Sequence, residues 1–203
     1  MIFIKKYVLL LIVFVISGAV SSYLLFQEKV AEAPSVQEGT TPSSGTTQGT
    51  VERKKNGTIV DLSDSGLTEF PKEILSNISI TTLILSNNSI KTLPSEIGRL
   101  VNLKELYLDN NKLEGALVGE IRHMSKLEVL DVHNNNMTGI PAEIGQLRRL
   151  TMLDFSGNTI DTMPDEVRNI SGNLKTLNLS NNTYSQETLL RVKVMLPNTN
   201  VIY

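Results

Sequence analysis

Residues 131–141 read DVHNNNMTGIP and place an aspartate, a histidine and three asparagines within six positions. Carboxylate, imidazole and amide oxygens are the donors a divalent cation uses. Asp131 and His133, at two-residue spacing, are also the raw material for general acid-base work if a hydroxyl such as that of Ser156 lies nearby. Asn136-Met137-Thr138 is a glycosylation sequon as well. Whether these letters mean chemistry or architecture depends on whether they recur.

Composition removes much of the chemistry. The 203 residues include no cysteine and two histidines, His123 and His133, so disulfides, thiolate metal sites and cysteine nucleophiles are absent and zinc chemistry is disfavoured. A formal charge of -2 and a pI near 5.8 provide no global basic field for a phosphate backbone, so no nucleic-acid partner is expected. Residues 57–203 carry 13 Lys/Arg against 17 Asp/Glu, which makes that region mildly acidic.

The letters do recur. Aligned on leucines, the chain gives GTIVDLSDSGL from 57, ITTLILSNNSI from 80, LKELYLDNNKL from 103, LEVLDVHNNNM from 127, LTMLDFSGNTI from 150 and LKTLNLSNNTY from 174. Starts are 23 or 24 residues apart, and each LxxLxLxxNxL block is followed by a half such as LPSEIGRL, IPAEIGQL or MPDEVRNI. In period and motif, residues 57–203 resemble the leucine-rich repeat family. The resemblance implies an α/β solenoid: a curved parallel sheet on the concave face, with short helices or 3-10 turns and loops on the convex face.

Alternation along each short strand predicts two inward columns, Val60, Leu83, Leu106, Leu130, Leu153, Leu177 and Leu62, Leu85, Leu108, Val132, Phe155, Leu179. No single unit can close such a core, whereas six in register can. The ninth position reads Asn88, Asn111, Asn135, Asn158 and Asn182 after Ser65 in the first unit. A buried amide both donates and accepts, so these residues are expected to form a ladder that satisfies the turning backbone rather than a set of ligands or sugar acceptors.

Function is then expected on the concave sheet, where partners of this family dock. The outward positions of each block, the third, fifth, seventh and eighth, hold six acids and no Lys or Arg. The expected partner-binding patch is Glu105, Tyr107, Asp109, Asp131, His133 and Asp154, with Tyr107 as aromatic anchor and a basic or amide-rich polypeptide as partner. Adjacent Asp131 and Asp154 should repel unless a cation or basic group intervenes. The competing reading makes these residues solubilising polar groups on an exposed sheet. A calcium site at Asp109, Asp131 and Asp154 is a lesser alternative, and no metal or cofactor is expected. Catalysis is not expected either: His133, Asp131 and Ser156 lack evident oxyanion donors, an open sheet excludes water poorly, and no phosphate-binding loop or dinucleotide fingerprint appears.

The flanks complete the organisation. Lys5 and Lys6 precede an uncharged run from Tyr7 to Phe26, whose twenty residues would rise about 30 Å as a helix, the thickness of a bilayer core. Residues 1–26 are read as a transmembrane signal anchor that leaves the repeats outside the cytoplasm, or as a signal peptide cleaved near Ala19-Val20-Ser21 to give a secreted chain. Residues 27–56, rich in Ser, Thr, Gly and Pro, are read as a disordered flexible linker; residues 57–184 as six repeats; and residues 185–203 as a helical cap started by Ser185 and stopped by Pro197. The function expected is a non-catalytic protein interaction module displayed at the membrane or cell surface. An envelope-structural or adhesive protein that recognises glycan or wall polymer and a cytoplasmic-type signalling scaffold are the alternatives.

Overall fold

A computed structural model describes residues 50–54 and 57–203. The apolar run Tyr7–Phe26 and residues 27–49 of the linker segment lie outside them. Among the described residues no helix is long and apolar enough to cross a membrane.

Each repeat contributes one strand to a single sheet. The strands are β1 (Thr50–Lys54), β2 (Gly57–Asp61), β3 (Ile80–Ile84), β4 (Glu105–Tyr107), β6 (Val129–Asp131), β8 (Met152–Asp154), β9 (Thr176–Asn178) and β10 (Asn200–Ile202), paired in that order. All pairs are parallel except β1–β2. A two-strand pair, β5 (Glu114–Gly115) with β7 (Asn136–Met137), forms beside the sheet, just past Asn111 and Asn135 of the third and fourth units. Opposite the sheet run five 3-10 turns, Lys72–Ser76, Ser95–Arg99, Gly119–His123, Ala142–Gln146 and Asp165–Ile170. Strands stack about 4.8 Å apart and helical turns need more room, so the sheet lines the inside of the curve.

The core lies between these layers. Leu83, Leu106, Leu130, Leu153 and Leu177 are fully buried, as are Leu85, Leu108, Val132 and Phe155 in the second column. Ile97, Ile121, Ile144 and Val167 seal the core from the 3-10 side. Pro94, Pro141 and Pro164 sit before their 3-10 turns at φ near -70° with extended ψ, and Val118 adopts the same geometry, so the third unit keeps the turn without its proline.

Both ends depart from the repeat. At the N-terminal end, part of the segment read as flexible linker is ordered: Thr50–Lys54 turns back and pairs with β2, Val51 opposite Val60. An unpaired β2 edge would leave a row of backbone donors and acceptors open, and β1 covers it. Gly57 opens β2 at φ +144°, where a Cβ would collide with the Thr81 side chain. At the other end, the Ser185 hydroxyl accepts from Thr188 N at 3.1 Å and starts α1 (Gln186–Met195), whose Val192 is buried beside Leu196. The chain then returns as β10 along β9.

Candidate functional site

The ninth-position asparagines serve three chain segments at once. Asn135 Nδ2 donates to Leu108 O, Val132 O and His133 O at 3.0, 3.0 and 3.2 Å, while its Oδ1 accepts from Leu113 N at 2.9 Å. Asn111, Asn158 and Asn182 repeat this pattern, and Asn88 accepts from both Ser65 N and Leu67 N. These amides are fully occupied with backbone and hold the turn that presents the sheet.

The eighth position has a backbone cause that sequence reading assigned to the binding face. Asp64, Asn87, Asn110, Asn134 and Asn181 have φ between 52 and 57°, and Gly157 has φ 64°. Asn, Asp and Gly tolerate the left-handed region with least strain, which accounts for this column's composition.

Three outward columns remain. The register sets Glu105 beside Val129, and Tyr107, Asp131, Asp154 and Asn178 in successive strands. In the fifth column a brace recurs. Ser63 N and Oγ donate to Asp61 Oδ1 at 3.0 and 2.7 Å, and Ser156 N and Oγ donate to Asp154 Oδ1 at 2.8 and 2.6 Å. Ser180 does the same to Asn178, and His133 N and Nδ1 to Asp131 Oδ1 at 3.0 and 2.7 Å. The cause is the end of the ladder: Val132 N and Asn134 N bond forward to Asp154 O and Ser156 O, so the intervening His133 N faces the preceding unit, and the aspartate supplies its acceptor. The i, i+2 pattern in DLS, DVH, DFS and NLS carried this signal in the sequence.

The brace changes the electrostatics expected of the patch. Asp131 is 2% exposed, so it supports the surface and offers little of itself to a partner. Asp131 and Asp154 each receive hydrogen-bond donors within the chain; Asn178 Nδ2 also donates to Asp154 Oδ2 at 2.9 Å. Burial pushes the Asp131 carboxyl up, offset in part by His133. Burial works against a charge on His133, but the hydrogen bond and charge of Asp131, with Asp109 and Asp154, outweigh it and lift the imidazole to about 9. An imidazolium thus sits inside the acidic strip at neutral pH. Tyr107 is half-buried, its hydroxyl donating to Glu105 Oε2 at 3.3 Å, and burial raises its phenol above the ordinary value, with Glu105 adding to the effect. Asp109 accepts from Ser86 Oγ and from Asn110 Nδ2.

Donor atoms of Asp109, Asp131 and His133 lie within 4.8 Å of one another. This set includes an imidazole in place of Asp154, so it departs from the all-oxygen calcium site suggested by the sequence. His133 Nδ1 is engaged by Asp131, and a protonated imidazole has no lone pair for a metal. Ser156 Oγ is committed to Asp154, and no hydrogen bond joins it to His133 among the described residues.

One leucine rich repeat family model matches residues 58–113 and another matches residues 126–147. A leucine-rich repeat protein of Leptospira interrogans superposes with a TM-score of 0.69 at 36% identity, over 71% of this chain and 36% of that one. The BIR3–SERK2 complex of Arabidopsis thaliana contains a chain matched at 30% identity and TM-score 0.51, over 64% of this chain and 71% of that one. The chain belongs to the leucine-rich repeat family. The plant peptide hormone receptor RGFR1 in complex with RGF2 matches at 27% identity and TM-score 0.61, over 75% of this chain and 28% of that one. This chain therefore spans 36% of the Leptospira protein and 28% of the plant receptor. No curated protein sequence matches it.

Proposed function

We propose that this leucine-rich repeat chain is a non-catalytic module that captures a basic or amide-rich polypeptide along its concave sheet. The observation that carries the reading is the outward surface of β4, β6 and β8. Glu105 and Tyr107 on β4, Asp109 just past it and Asp154 on β8 are each partly exposed there, no lysine or arginine occupies the outward columns, and only β6 separates the two strands. Tyr107 supplies aromatic contact area, the carboxylates select for cationic or amide groups, and the His133–Asp131 pair underlies them as a rigid support. Two of the similar structures are complexes, one of a receptor with RGF2 and one of BIR3 with SERK2, which favours a peptide or protein over a small molecule.

Residues 7–26 anchor the module in a membrane, and the segment up to β1 is the tether that displays it outside the cytoplasm. Tethering restricts the module to a thin layer and raises its effective concentration toward partners on the same surface. The test is selection of peptides by the full chain from a random library, repeated with Glu105→Lys/Asp154→Lys. The reading expects lysine-, arginine- or asparagine-rich winners that the variant fails to select, and identical winners from both proteins would refute it.

A further inference from the structure

A second charged surface lies beside the sheet, on the flank where the chain enters each strand. The residue before each strand forms its own backbone ladder: Lys104 N donates to Thr81 O, Glu128 N to Lys104 O, Thr151 N to Glu128 O and Lys175 N to Thr151 O, each at 2.7–2.8 Å. The loops just upstream stack in the same order. Asn102 Nδ2 donates to Ile78 O at 2.9 Å, Lys126 Nζ donates to Asn102 Oδ1 at 2.7 Å, and Asn173 Nδ2 donates to Arg148 O at 2.6 Å. Lys104, Lys126, Arg148, Arg149 and Lys175 are thereby brought to one flank, where Glu128 is the acid among the stacked positions. None of the five cations takes part in an ion pair among the described residues.

The same flank also exposes aliphatic side chains. Ile78 and Val101, at equivalent places in the first and second units, are 55% and 43% exposed, whereas the repeat leucines beside them are buried. A row of unpaired cations next to exposed aliphatic groups matches a surface with negative headgroups over a hydrocarbon layer. A soluble polyanion would use the cations and leave the aliphatic groups in water. The outward columns of the sheet beyond it hold Glu105, Asp109 and Asp154 and no lysine or arginine, so the anionic surface is directed to the flank and away from the peptide-binding face.

We propose that this flank docks on an anionic lipid bilayer, with Ile78 and Val101 entering the headgroup region and Lys104, Lys126, Arg148, Arg149 and Lys175 meeting lipid phosphates. The solenoid then lies on its side, and the concave sheet opens along the membrane rather than toward it. The inference extends the membrane-display reading, but the flank's affinity for lipid does not require the anchor.

The chain has no cysteine, so a single introduced thiol can be labelled cleanly. Full chain carrying Val101→Cys with an environment-sensitive dye is added to vesicles of neutral lipid, and to vesicles with an anionic phosphatidylglycerol fraction and a lipid-borne quencher. The proposal expects a blue shift and quenching in anionic vesicles, their loss in Lys126→Glu/Arg148→Glu/Arg149→Glu, and no response from a label at the exposed Glu114→Cys beyond the other end of the strands. Each cation removed should weaken the flank's apparent docking about fivefold. A label at Leu11→Cys reports separately on insertion of the N-terminal segment, so failure of the anchor and failure of the flank are distinguishable. Equal quenching in neutral vesicles, an unaltered response in the triple variant, or a dye response to heparin that vesicles do not reproduce would each overturn it.

Discussion

His133 Nδ1 lies 2.7 Å from Asp131 Oδ1, and the same carboxylate oxygen accepts from His133 N at 3.0 Å, so one buried aspartate holds both the backbone and the ring of its neighbour. The imidazole rises to about 9 from an ordinary 6.5. Because the folded value is the higher, the stability it adds is complete below the unfolded value and is lost as pH rises toward and through 9. Thermal midpoints of the chain and of His133→Gln, compared from about pH 6 to pH 10, should differ most at the acid end and converge at the alkaline end. A gap that stays constant across this window would show that the pair does not titrate as described.

The ladder residues should not contribute equally. Replacing Asn135 by alanine leaves the buried Leu113 N–H without its acceptor and takes one of two donors from each of three backbone carbonyls, and should cost about 2–4 kcal/mol in urea unfolding. Asn182 lies in the last repeat and is only partly buried, so water can replace part of what Asn182→Ala removes. The smaller loss belongs to position 182, and equal losses would contradict the burial argument.

The eighth column offers a sharper contrast. Asn134→Val forces a branched side chain to φ 52° and should cost about 1–2 kcal/mol, whereas Asn134→Gly should stay within about 0.5 kcal/mol of the parent. Peptide capture by the glycine variant should be unchanged. Loss of capture would return Asn134 to the binding surface.

A chain beginning at Thr50 keeps the strand that covers β2, whereas one beginning at Gly57 does not. The shorter chain should unfold at lower urea and self-associate through the exposed edge, as read by sedimentation. Equal stability and equal sedimentation would show β1 to be dispensable.

How much of this was legible beforehand follows from which residues serve the repeat. Leu83, Leu106 and their column recur because every unit must fill the same slot, and recurrence in one sequence is readable without any relative. The interaction of Asp131 with His133 was harder to see. Alternation sends both outward, but the strand ends at Asp131, and the unpaired backbone donor beyond it draws the carboxylate in. The eighth column misleads for a related reason, since its polar letters answer a dihedral requirement rather than a partner. Thr50–Lys54 was hidden by composition: it adjoins a Ser/Thr-rich tract, and its pairing depends on β2, not on its own pattern. Across the whole sheet face, side-chain type was readable and side-chain role was not, because role is set where strands stop.

The central claim is that a polypeptide binds the sheet through Glu105, Tyr107 and Asp154. It is tested most directly by the affinity of a library-selected basic peptide for the full chain and for Glu105→Lys/Asp154→Lys, measured by titration calorimetry at two salt concentrations. Because Asp154 also accepts from Ser156 and Asn178, the thermal midpoint of the variant is measured alongside, so that loss of the fold is separated from loss of the surface. The account predicts at least about a tenfold weaker Kd for the variant, with the difference shrinking as salt is raised. A variant that binds as tightly as the parent at both salt concentrations would contradict it.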